Sequence, residues 1–276
     1  MIKKIFACTC CLGFVCASQA QFYFKDIVSN RQVQTDLSRL KEQKIRSVKI
    51  TSLESDGQPS ETFLVDKKIN RSYTLIEAFT KSGVTGASLF TSAFTKEGQL
   101  IRTVDSSDLS VNSSAYFYNE NGRIYSIKSE IYSSDDDFTS KISEEHKYDY
   151  DPSGKLLSMY RIKNENDSTL ILFSTDEKNN VTIEKDTKSG KSYYYYYDGK
   201  NRLTDIVNLN VYTQKMVPDY MFEYNNAGQI TQMTSTEEGG AYYYIWKYSY
   251  AEGLRSIEKC YSKDRKLLGT IEYAYK

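Results

Sequence analysis

The chain of 276 residues contains one histidine, His146. A lone imidazole argues against Ser-His and Cys-His nucleophile pairs and against multi-histidine metal sites. It lies in KISEEHKYDYD, where an extended backbone puts Glu144, His146, Tyr148 and Tyr150 on one face. Glu144 and His146 are the one acid-base pair that the spacing offers, and a strand pair of this kind reads first as structural. Asp135-Asp136-Asp137 offers carboxylates to calcium, but it lacks the spaced ligands and glycine of a calcium loop and reads as a solvated tip. No pair of carboxylates stands out for glycoside hydrolysis. The expectation is a chain with no catalytic residues, no metal and no cofactor, and hence not an enzyme.

Aromatic residues are the other group that could act. Five tyrosines stand in a row at 193–197, and AYYYIWKYSY follows at 241–250. Tyrosine favours strands, and alternation then places Tyr195 and Tyr197 on one face, and Tyr242, Tyr244, Trp246 and Tyr248 on another. These six are the candidate binding residues. Rigid amphipathic rings on a concave face could grip a glycan or peptide; the same rings could equally be core. Trp246 is expected to be partly covered by neighbouring tyrosines.

A repeat positions these side chains. YFYNENGRI (116–124), YDYDPSGKL (148–156), FSTDEKNNV (173–181), YYYDGKNRL (195–203) and FEYNNAGQI (222–230) align, with weaker copies at 94–100, 248–254 and 261–267. Asn119, Asp151, Asp176, Asp198 or Asn225 begins a type I turn, and Gly122, Gly154, Asn179, Asn201 or Gly228 supplies the left-handed residue three positions on. That is a three-residue hairpin loop with a bulge. Tyr118 then pairs with Ile124, Tyr150 with Leu156 and Tyr197 with Leu203. Two strands and two turns per repeat give an up-and-down antiparallel meander, all-β, curved into an open or closed barrel-like sheet. Irregular connections are expected at the opposite end, at 106–113, 133–137, 164–168, 208–219 and 236–240, and function is expected there. One short helix is predicted at about 32–44, with Val33, Leu37 and Leu40 on its apolar stripe.

The motif resembles the YD repeat of Rhs-type bacterial wall and toxin-shell proteins over about residues 92–270. In overall form the chain is similar to secreted bacterial domains described as having a porin-like fold. The resemblance implies a curved or closed meander and no particular activity.

MIKKIFACTCCLGFVCASQAQ opens the chain: two lysines, an apolar stretch and Ser18-Gln19-Ala20. This predicts a signal peptide at 1–20, cleaved after Ala20, and a single β-repeat domain over 21–276. No segment is long and apolar enough for a transmembrane helix. Cleavage leaves Cys260 as the one cysteine, expected as a buried apolar filler without a disulfide. It also removes Lys3 and Lys4, leaving 34 basic residues against 36 acidic, a balance that points away from nucleic acid. The sequence therefore predicts a secreted or periplasmic binding or scaffolding module at the cell envelope, with a glycan or peptide as partner. The alternatives are an outer-membrane-associated β-barrel and, behind it, a glycan-active enzyme. Oligomeric state is left open.

Overall fold

Eighteen antiparallel strands close into one barrel. The structure is a computed structural model that describes residues 21–276 apart from 62, 84–85, 134–140, 211–213 and 238–239; the Asp135–Asp137 triplet lies outside the described residues. In chain order the strands are β1 (Ser47–Glu54), β2 (Leu64–Ile69), β3 (Leu75–Ser82), β4 (Gly86–Phe94), β5 (Leu100–Ser107), β6 (Ser110–Tyr118), β7 (Ile124–Ser133), β8 (Lys141–Tyr150) and β9 (Leu156–Lys163). They continue as β10 (Asp167–Thr175), β11 (Val181–Asp186), β12 (Ser192–Tyr197), β13 (Leu203–Asn210), β14 (Lys215–Tyr224), β15 (Ile230–Thr236), β16 (Tyr243–Ala251), β17 (Leu254–Ser262) and β18 (Leu267–Tyr275). Each strand pairs with its neighbours in sequence, and β1 pairs with both β2 and β18, which seals the sheet.

The repeat builds one rim of this barrel as the turn chemistry predicts. Gly122, Gly154, Asn179, Asn201 and Gly228 all have positive φ. Asp198 shows the local logic: its Oδ1 accepts the amides of Lys200 and Arg202, and its carbonyl accepts the amide of Asn201. Beside each turn the register slips by one residue, so that Tyr118 faces Ile124, Tyr150 faces Leu156 and Tyr197 faces Leu203. These are the bulges that accompany a left-handed residue.

The motif tyrosines have a further task that runs between repeats. The hydroxyl of Tyr118 donates to the Leu100 carbonyl, Tyr150 to Ile124, Tyr197 to Val181, Tyr224 to Leu203 and Tyr250 to Ile230, at 2.6–2.8 Å. Each acceptor is the residue just after the preceding turn. The tyrosines thus staple successive hairpins along the rim.

Two expectations about the elements are corrected. The helix starts earlier than 32: a π-helical segment, Tyr23–Val28, leads into α1, Ser29–Glu42. Its covered face is Tyr23, Ile27, Asn30 and Leu37, while Val33 is exposed. No side chain of the segment caps its first turn; the cap comes from Glu184 on β11, far away in sequence. The opposite rim is also more regular than expected. Strands β5 and β6 are joined through Asp108 and Leu109 alone, where Ser107 Oγ accepts the amides of Leu109 and Ser110, and 164–166 is a tight turn before β10. The stretch at 106–113 is largely strand, and of the described residues in 208–219 all but Gln214 belong to β13 or β14.

An 18-stranded barrel is too wide for its own wall to fill. The helix supplies the missing core. Phe22, Tyr23 and Ile27 pack against Tyr148, Met159, Ile171, Tyr193, Tyr195 and Ile206 on the inward faces of β8–β13. Leu37 joins Ile69, Tyr73, Phe94 and Leu100 at the tight-turn rim.

Candidate functional site in the barrel lumen

Where the helix meets the wall, two polar networks fix it. In the first, Glu184 is fully buried on β11. Its carboxylate accepts the amides of Gln21, Phe22 and Tyr23 at 2.8–2.9 Å and the hydroxyl of Tyr195 at 2.8 Å. Burial pushes its carboxyl above the usual range, against the pull of these four donors. Beside it, Gln21 Nε2 donates to Asp219 at 2.6 Å and Asn208 Nδ2 donates to the other oxygen of Asp219 at 2.7 Å.

The second network contains His146. Its Nδ1 lies 2.5 Å from Asp26 on the helix and its Nε2 lies 2.8 Å from Glu144. Tyr148 donates to the same Asp26 oxygen at 2.6 Å, and Arg161 Nε donates to Glu144 at 2.9 Å. Burial alone would lower the imidazole pKa, but the two carboxylates outweigh it and raise it to about 9. Burial likewise opposes the Glu144 carboxylate, yet the His146 imidazolium and Arg161 hold it down at about 2. At neutral pH the pair is charged on both sides. Both ring nitrogens are occupied, so the geometry describes a cation that anchors the helix.

The six aromatic candidates are divided by the fold. Tyr195 and Trp246 are 2% and 8% exposed, and Tyr248 is buried beside Trp246 with Cys260. Trp246 is more enclosed than expected because its face points into the closed barrel. Tyr197 is a staple of the tight-turn rim. Tyr244 and Tyr242 stand at the other rim: Tyr244 donates to Glu237, and Tyr242 is 64% exposed. The aromatic stripe is therefore continuous in register but not an open surface along its length.

A different inward face lies nearer the loop rim. The register sets Ala78, Phe90, Asp105, Asn112, Ile131 and Ile142 in one row across β3–β8. Ile142 is half exposed, although it shares a face with His146, so solvent reaches into this end of the barrel. Asp105 Oδ1, Asn112 Oδ1 and, one row outward, Thr80 Oγ1 are buried without a hydrogen-bond partner among the described residues. Desolvation raises the Asp105 pKa. Deeper in, Ser114 and Ser129 share a 2.8 Å hydrogen bond. The lumen thus has an aromatic, plugged half and a polar vestibule. The residues Thr80, Asp105 and Asn112 are not singled out by the sequence; their signal is the loss of apolar alternation in strands that still pair.

No protein-family model matches the chain, and no curated protein matches it. Among solved structures it is similar to a porin-like protein from Bacteroides uniformis, at 11% identity and a TM-score of 0.40, over 84% of this chain and 98% of that one. These likenesses are loose. The Photorhabdus luminescens Tc holotoxin pore aligns at 11% identity and a TM-score of 0.30, over 78% of this chain and 15% of that one. A protein of the DUF3598 family, of unknown function, from Nostoc punctiforme aligns at 6% identity and a TM-score of 0.17, over 87% and 98%. Scores this low say nothing about activity, and the reading below rests on the chain itself.

Proposed function

We propose that the protein is an exported, non-enzymatic binding or scaffolding module of the cell envelope that takes a glycan through the loop-side vestibule of its barrel. The observation that carries this reading is the row holding Asp105 and Asn112, each with a buried side-chain oxygen that has no partner among the described residues. Buried polar atoms are nearly always satisfied, and those that are not mark a place where another group belongs. A sugar brings hydroxyl donors for these oxygens and apolar ring faces for Phe90, Ile131 and Ile142. Tyr242 and Tyr244 at the same rim offer rings for stacking.

A catalytic role has less support, because the one histidine and its carboxylates are committed to holding the helix. Export rests on Lys3-Lys4, the apolar stretch and Ser18-Gln19-Ala20. The recurring Asx turn, left-handed residue and tyrosine staple support the YD-like reading of the hairpins. Surroundings of water rather than lipid are favoured by the outer wall of β7 and β8. Lys128, Lys141 and Lys147 are more than half exposed there and pair with Glu130 and Glu145, where a membrane barrel carries an apolar band.

Titration calorimetry against a panel of bacterial and host polysaccharides and peptides tests the reading. We expect saturable binding to a glycan that Asn112→Leu weakens at least roughly tenfold, the scale of one lost buried hydrogen bond. Binding indifferent to Asn112→Leu, or binding by peptides alone, would overturn the vestibule as the glycan site.

A further inference from the structure

The barrel has two deeply buried glutamates on its inner face, and they are treated differently. Glu258 is 1% exposed and pairs with Arg255 at 2.9 Å. Glu184 is 0% exposed, and among the described residues no lysine, arginine or histidine side chain forms an ion pair with it; its donors are three backbone amides and one phenol. A second carboxylate, Asp219, accepts the side-chain amide of Gln21, the residue whose backbone amide donates to Glu184. A buried carboxylate without a countercharge is costly. The nearest atom that could carry one is the backbone nitrogen of Gln21, 2.8 Å from Glu184 Oε1.

Gln21 is also the residue expected to begin the mature chain. It is held at φ +77°, a region that clashes for a side-chain-bearing residue when a carbonyl precedes it. At a chain start there is no preceding carbonyl, and that strain vanishes. We infer that the chamber formed by Glu184 and Asp219 is a receptor for the free α-ammonium group of Gln21, so that leader removal creates the cation that completes the plug. This inference rests on the export reading above. Cleavage turns a neutral amide with one N–H into an ammonium with three, at a place where the wall supplies a fully buried carboxylate that no lysine, arginine or histidine among the described residues neutralises. It further implies that Gln21 escapes the usual fate of an N-terminal glutamine. Cyclisation requires the neutral amine to attack the side-chain amide carbon, forming a lactam and expelling ammonia. Here the amine is a protonated partner of Glu184 and the amide is drawn off to Asp219.

The test compares purified chains that start at Gln21 and at Ala20, made with a fusion partner whose removal leaves a native first residue. In urea titrations the Gln21 chain should have a folded-to-unfolded ratio roughly tenfold higher, the scale of a charge-assisted bond to a buried group. Glu184→Gln should abolish the difference. Should that variant not fold, the two wild-type starts decide alone. Mass spectrometry of the host's own protein should show an uncyclised chain beginning at Gln21. Equal unfolding midpoints, or a cyclised Gln21 in the folded protein, would overturn the chamber while leaving export intact. A host chain that still carries its leader would overturn export, and with it the chamber's role in the cell, whatever the engineered pair shows.

Discussion

At the scale of single residues, His146 decides how the protein responds to pH. Its folded pKa of about 9 lies above the ordinary 6.5. The stability it contributes is therefore complete below pH 6.5 and is lost as pH rises through 9. Glu144 has the opposite sign: at about 2 against the usual 4.5, its contribution is present above pH 4.5 and is lost as pH falls through 2. Urea unfolding followed across pH should show a plateau between these limits, and His146→Gln should flatten the alkaline fall. It should also cost roughly 3–5 kcal/mol at neutral pH, because Asp26 and Glu144 lose their common cation. A variant that keeps the alkaline fall would assign that limb to other groups. The sequence placed Glu144 and His146 on one face correctly. It gave no hint of Asp26, since the pairing needs the helix to cross the lumen and no local pattern encodes that crossing.

At the scale of the element, the hairpin is the most legible part of the chain. Asx position, left-handed residue and the Tyr150 to Leu156 pairing all follow from chemistry within nine residues, so the sequence carries them whole. The staple is less visible, because Tyr150 reaches a carbonyl 26 residues earlier. Tyr150→Phe should cost about 1 kcal/mol in a urea titration, the net worth of one such bond. Tyr196→Phe, on the exposed outer face, should cost nothing measurable. Equal effects would show that the hydroxyls do not join the repeats. The strands beyond the staples were harder to read for a physical reason. Alternation signals a strand only where one face is apolar, and Ser107, Ser110 and Asn112 belong to strands whose inner face is itself polar. The helix start was hidden in the same way, since its cap is Glu184 rather than a neighbouring serine or aspartate.

At the scale of the whole molecule, the closed barrel and its plug depend on each other. Phe22 sits edge-on to His146 at 4.9 Å, within the cluster that fills the β8–β14 half. Phe22→Ala should cost about 3–5 kcal/mol, typical of a large ring removed from a core. Trp246, shielded beside Tyr248 and Cys260, is the natural reporter. Its emission should be blue-shifted and poorly quenched by iodide until the barrel opens. Red-shifted, quenchable emission from the folded protein would contradict an enclosed inner face. Closure itself was within reach of the repeat, but the seam was not, because nothing in a meander says which strands meet last. In the structure β1 meets β18, and the amides of Arg46 and Ser47 both donate to the Lys276 carbonyl. That seam makes assembly an end-dependent event. Seventeen junctions join strands adjacent in the chain and can form as hairpins within microseconds, whereas this one must bring together segments more than two hundred residues apart. Until it does, β1 and β18 each expose a bare edge that any passing strand could occupy. The slowest step of folding should therefore be ring closure, with strand exchange between neighbouring copies as its main competitor.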